Sequence, residues 1–178
     1  DRGRVAAAGG DTGVVPAAAR RHPARVGPLR ADQPGGRSRC RHVHLVVENE
    51  NNDAGLLETG FDAQWNDDGH NALHVLLTGE TDAYYSDFAS DTTAKLARCL
   101  SEGFIYQGET TRHGHTRGEP SAHLPPSAFV LFLQNHDQVG NRALGERLTR
   151  LCPPPALRAA TGLLLLAPMS PLLFMGDD

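Results

Sequence analysis

Two carboxylate-bearing clusters stand where apolar runs end. The run Ala128–Leu133 stops at Gln134-Asn135-His136-Asp137-Gln138, in which an imidazole and a carboxylate are adjacent. Upstream, His42-Val43-His44-Leu45-Val46-Val47 stops at Glu48-Asn49-Glu50. Positioned carboxylates and imidazoles move protons and bind hydroxyls. Buried parallel strands read as continuous apolar runs, and barrel enzymes gather their chemistry at the C-terminal ends of such strands. Glu48 and Asp137 lie 89 positions apart, which leaves room for two βα units between them. In a (β/α)8 barrel both would project onto one face. The competing possibility is a polar turn, because Asn135-His136-Asp137-Gln138 also suits the cap of a helix.

The elements that would position these residues follow from pattern. After the strand ending at Val47, Phe61–Gln64 reads as a short strand. Asp67 or Asp68 can cap a helix running through Leu77. Asp91 is placed to cap a second helix, with Ala94, Leu96, Ala97 and Leu100 as its apolar positions and Gly103 as its stop. Arg112–Pro126 is rich in Pro, Gly, His and charge and reads as a long surface loop before the strand Ala128–Leu133. Arg142–Leu151 is helical in pattern; Pro153-Pro154-Pro155 breaks it and opens another helix through Leu166. Pro171–Met175 is the final strand. Strands alternating with helices predict an α/β fold with parallel pairing and right-handed crossovers.

Longer segments carry a resemblance. They are His42–Asp53, Phe61-Asp62-Ala63-Gln64-Trp65-Asn66-Asp67-Asp68, Ala72–Tyr85, Arg117–Pro126, Phe129–Leu148 and Pro171–Gly176. Residues 41–178 resemble the α-amylase superfamily of retaining glycoside hydrolases, and within it the maltooligosyltrehalose trehalohydrolase family. The resemblance implies a partial (β/α)8 TIM barrel, about strands 5 to 8, with the chain ending just after the last strand. It also implies retaining hydrolysis of the α-1,4 bond beside the terminal trehalose of maltooligosyl trehalose, or of a related α-glucan, with no cofactor and no metal. Glu48 would be the general acid and base, with Glu50 as its rival because alternation points both the same way. Asp137 would be the third superfamily carboxylate, stabilising the oxocarbenium-like transition state, and His136 would bind sugar hydroxyls. Gln138, Asn135 and Arg142 would be their partners, and Trp65, Asp67, Asp68 and His70 would line the cleft. Gly69 and Asn71 depart from the family pattern, which has an aromatic and a histidine there. The alternatives are another superfamily enzyme, such as a glycogen branching enzyme or α-glucan hydrolase, and a non-catalytic glucan-binding fragment.

Composition divides the chain. Of its 178 residues, the first 40 carry eight Arg and three Asp, whereas residues 41–178 carry nine basic and eighteen acidic residues. The acidic part suits an enzyme of neutral sugars and argues against nucleic acid. Four residue types, Arg, Ala, Gly and Pro, fill 27 of the first 40 positions. The family's nucleophilic Asp should fall there, yet Asp11 sits in Gly9-Gly10-Asp11-Thr12-Gly13, which is not a strand end. Such a mixture beside a clean match is what out-of-frame reading of a GC-rich gene produces; a divergent loop or a disordered basic tail are the alternatives. A whole barrel needs about 250 residues. Half of one would leave the strands ending at Val47 and Met175 as open edges, through which self-association is expected. Cys40, Cys99 and Cys152 are odd in number and lack metal spacing, so a reduced, cytoplasmic setting is expected. No apolar run approaches the roughly 18 residues of a membrane span. His70 and His74 stand four apart, but no Glu follows His70, so a zinc site is not expected.

Overall fold

A computed structural model of the chain describes residues 43–177. The expectations for residues 1–40, including Asp11 and Cys40, lie outside the described residues. The elements, in order, are β1 (Val46–Val47), α1 (Ala54–Thr59), β2 (Ala63–Trp65), α2 (Asp67–Thr78), a 3-10 turn (Ala83–Phe88), α3 (Thr92–Glu102), β3 (Glu109–Thr110), β4 (Thr116–Arg117), β5 (Phe129–Phe132), α4 (His136–Gly140), α5 (Leu148–Leu151), α6 (Pro154–Leu166) and β6 (Ser170–Leu172). A short 3-10 turn, Pro126–Ala128, leads into β5.

Four strands form one parallel sheet in the order β1-β2-β5-β6. Val46 pairs with Ala63, Gln64 with Phe129, and Leu131 with Pro171. The fold is therefore α/β with a parallel sheet whose spatial order follows chain order, as in a run of barrel strands. All four residues of β5 are buried, which is why it reads as an unbroken apolar run. Phe88, Phe104, Phe129, Leu131 and Leu164 make the centre of the core.

Several elements differ from expectation. Asn66, not Asp67 or Asp68, caps α2, its side-chain oxygen accepting from the Gly69 N–H at 3.2 Å. Both aspartates instead occupy the first turn, where a carboxylate faces the positive end of the helix dipole. In α3 the buried face is Thr92, Leu96 and Cys99, while Ala94 and Ala97 are exposed. A methyl group is too small to decide which stripe of a helix turns inward. The segment expected to be helical over Arg142–Leu151 is helical only at Leu148–Leu151, preceded by the short α4. Its apolar residue Leu144 is 84% exposed, so no stripe is buried there to stabilise a longer helix. The helix α1, between β1 and β2, was not assigned from the sequence.

The stretch expected to be a surface loop, Arg112–Pro126, includes β4, which pairs antiparallel in a hairpin with β3 just before it, Glu109 opposite Arg117. Gly118 makes its return possible. With φ +83° there, a Cβ would lie 1.8 Å from the Tyr106 carbonyl oxygen, so only glycine permits the approach. Its N–H donates to Asn51 O at 3.0 Å, tying the hairpin to the segment after β1 and turning Arg117 inward. Among the described residues no helix is long and apolar enough to cross a membrane.

Candidate active site

The carboxyl ends of β1, β2 and β5 open onto one cavity of about 510 Å³, lined by Glu48, Glu50, Asp67, Asn71, Tyr84, Arg117, Asp137, Gln138 and Asn141. Parallel strands deliver their C-terminal residues to the same rim, so residues 89 positions apart in sequence share the space. Glu48 and Glu50 both line it, although β1 ends at Val47 and Glu50 lies in the turn that follows, so strand alternation alone does not place the second.

Asp137 reaches the cavity from α4, a single helical turn that follows β5. The expected site and the expected helix cap coincide here. Asn135 caps α4, its side chain accepting from the Asp137 N–H at 2.8 Å, and the Gln138 side chain accepts the Asn135 N–H at 2.9 Å. This reciprocal box satisfies orphan donors at the helix start. His136 is exposed, with Nε2 3.3 Å from Asp137 Oδ1, and its ring stands edge-on to Trp65 at 6.0 Å. Trp65, half-buried at the end of β2, also packs on Phe132 at 5.8 Å.

Asp68 and His70, expected at the cleft wall, and Arg142, expected as a partner of His136 and Asp137, are engaged elsewhere. Asp68 is wholly buried beneath it, with Oδ1 2.7 Å from Arg117 Nη2. Its Oδ2 accepts from Asn52 Nδ2 at 2.7 Å and from the Ile105 and Tyr106 N–H groups at 2.9 Å each. Burial pushes its carboxyl upward in pKa, and Arg117 with these donors opposes the shift. His70 is buried and stacked on Phe132 at 5.1 Å. Its Nδ1 lies 2.9 Å from the Leu133 carbonyl, which can only accept, so Nδ1 carries the hydrogen. Burial, with His74 close by, holds this ring down at about 3, hence neutral. Arg142 gives its guanidinium to Glu80, with Nη1 and Nη2 at 2.9 and 2.7 Å from the two carboxylate oxygens. That fork carries it away from the cavity. Among the described residues no group of three or more His, Cys, Asp or Glu could hold a metal ion.

Arg117, Tyr84 and Asn141 line the cavity without having been singled out for it. Arg117 comes from the hairpin, and nothing local in sequence marks it as inward-facing. Its guanidinium also sits over the Tyr106 and Phe88 rings at 5.4 and 5.9 Å.

Asp67 is the perturbed carboxyl of the cleft. Burial pushes it up to about 6; Arg117 opposes, and Asp68, Glu48 and Glu50 add to the rise. A carboxyl whose folded pKa exceeds its unfolded value favours folding fully below the unfolded pKa and loses that contribution as pH rises through the folded one. Between pH 4 and 7 this group alone is expected to cost about 2–3 kcal/mol of stability. Asp67→Asn should remove that share of the pH dependence. Urea unfolding at pH 4, 5.5 and 7 tests it, and identical slopes with pH in the two proteins would refute the assignment.

Similarity to solved structures matches this geometry. An α-amylase-like protein from Salmonella typhimurium superposes with a TM-score of 0.70 and 51% identity, covering 78% of this chain and 25% of that one. The fold is thus that of an α-amylase-type barrel segment. By sequence the chain is a relative of the malto-oligosyltrehalose trehalohydrolases. It is 40% identical to that of Rhizobium sp. over 147 residues, 78% of this chain and 24% of the relative. It is 38% identical to that of Saccharolobus solfataricus over 141 residues, 75% of this chain and 25% of the relative. The chain therefore spans about a quarter of the length of the curated relatives it matches. No family model matches it.

Proposed function

We propose that this segment supplies the acid/base and third carboxylate of a retaining α-glucan hydrolase that cuts the α-1,4 bond beside the terminal trehalose of maltooligosyl trehalose. The observation that carries the proposal is the convergence of Glu48 and Asp137 on one cavity. Glu48 protonates the departing glycosidic oxygen as the C–O bond breaks and a carboxylate bonds to the anomeric carbon. It then takes a proton from the water that displaces that carboxylate, so configuration is retained. Asp137 and His136 hold hydroxyls of the reacting sugar, and Asp137 stabilises the positive charge developing on the ring. Asp67, titrating near 6, can both donate to and accept from a sugar hydroxyl. Trp65 offers its indole face beside them. By the family resemblance the attacking carboxylate would come from a strand preceding β1 in the whole barrel; residues 1–40 offer no credible position for it, and in the test below the relative supplies it. The names of the relatives support the trehalose specificity.

The test is a chimaera in which residues 43–178 replace the matching segment of the Rhizobium sp. relative. Free trehalose released from maltooligosyl trehalose is the expected product; a branched glucan, or no release, would overturn the proposal. A second possibility, glucan binding without catalysis, is favoured for the 178-residue chain alone by the setting of Asp11 in Gly9-Gly10-Asp11-Thr12-Gly13, which is not a strand end. That chain should bind maltooligosaccharide in calorimetry while releasing no sugar.

A further inference from the structure

The helix that presents Asp137 has little of its own to hold it. It spans five residues, His136–Gly140, none of them buried. A helix of that length has no independent stability in water. The capping box is local and cannot fix the turn relative to the rest of the molecule. The following segment offers no apolar anchor, since Leu144 is 84% exposed. Besides the edge-on contact of exposed His136 with Trp65 at 6.0 Å, the segment is tied to a distant part of the chain by the fork from Arg142 to Glu80, 62 positions away in sequence.

Glu80 is itself firmly seated. Its N–H donates to Thr78 Oγ1 at 3.1 Å, and that hydroxyl donates to His74 O at 2.8 Å. His74 Nε2 lies 2.8 Å from Glu80 Oε2, and its ring stacks on buried Tyr85 at 4.2 Å. The carboxylate therefore joins the packed face of α2 to the start of the loop after α4. Gln138 and Asn141, on the same turn as Asp137, line both the main cavity and the hollow that contains Glu80 and Arg142.

We propose that Glu80 is a positioning residue, which through its two-pronged bond to Arg142 fixes the one-turn helix that aims Asp137 into the cleft. The hydrogen bonds from Arg142, with His74 assisting, hold the Glu80 carboxyl down at about 2, so the clamp stays charged through the neutral range. Its mechanical part stands on the geometry; its catalytic part rests on the hydrolysis proposed above.

Amide exchange on the 178-residue chain tests the mechanical part. Glu80→Ala and Arg142→Ala should each speed exchange of residues 136–142 by about tenfold, leave α3 unchanged, and be no faster when combined. Should Glu80→Ala fail to fold, Glu80→Gln, which keeps the volume and removes the charge, carries the same comparison. Unchanged exchange at 136–142, or equal acceleration in α3, would overturn the clamp. In the Rhizobium chimaera, Glu80→Gln and Arg142→Ala should each lower kcat by about 10²-fold with KM nearly constant, and Arg142→Lys, which keeps the charge without the fork, should lose less than Arg142→Ala. A raised KM at constant kcat would instead make Glu80 a binding residue and overturn positioning. Inactivity of the unsubstituted chimaera would sink the proposed reaction and leave the exchange result to decide the clamp.

Discussion

Glu48→Gln in the chimaeric barrel is expected to lower kcat on maltooligosyl trehalose by about 10²–10⁴-fold, the range that a positioned general acid contributes. A substrate whose leaving group needs little protonation, such as a nitrophenyl α-glucoside, should recover much of that loss. Asp137→Asn should cost about 10²–10³-fold through lost stabilisation of the developing charge, and the activated leaving group should not rescue it. Neither change should unfold the protein, since both side chains face the open cavity. Glu50→Gln should cost far less. Rescue seen with Glu50→Gln and absent with Glu48→Gln would move the acid two residues along the chain.

The largest stability effect is expected beneath the cleft. Asp68 is fully buried, and Arg117, its partner at 2.7 Å, is 18% exposed. Removing one member of a buried pair leaves the other charge uncompensated, at a cost of about 3–5 kcal/mol. Asp68→Ala carries the further loss of acceptors for Asn52 and the Ile105 and Tyr106 amides. Arg117→Met should destabilise by a similar amount and loosen the hairpin that walls the cavity. The double variant should lose less than the sum of the two, because each single change strands a charge that the double change does not. Urea unfolding followed by fluorescence of Trp65, the only tryptophan in the chain, gives the comparison. Strict additivity would show that the two charges are screened from one another.

What was legible in the sequence is what local physics encodes. The buried strand β5 showed as an apolar run, α6 was announced by Pro153-Pro154-Pro155, and α3 was bounded by Asp91 and Gly103. The convergence of Glu48 and Asp137 followed from strand direction alone. What could not be read depends on partners distant in the chain. Asp68 looked like a cap or a cleft residue because its engagement comes from Arg117, 49 positions downstream. Arg142 looked available because nothing near it announces Glu80. The hairpin hid in a polar stretch because polar ties hold it, such as the Arg112 N–H to Asp87 Oδ1 at 3.0 Å, and these leave no hydrophobic period.

Cys99 packs wholly buried between α2 and α3, its sulfur accepting from Asn66 Nδ2 at 3.3 Å, and Cys152 lies buried at the end of α5 with its S–H donating to Leu148 O at 3.2 Å. Burial raises the pKa of both thiols. The thiolate is the species that alkylates, so neither should react while its surroundings remain closed. The chain thus contains two native clocks for local opening, one under the helix that carries Asp67 and one beside the turn that leads from α4 into α6. Pulsed alkylation with peptide mapping would rank the two regions by how often each breathes, with no label engineered in.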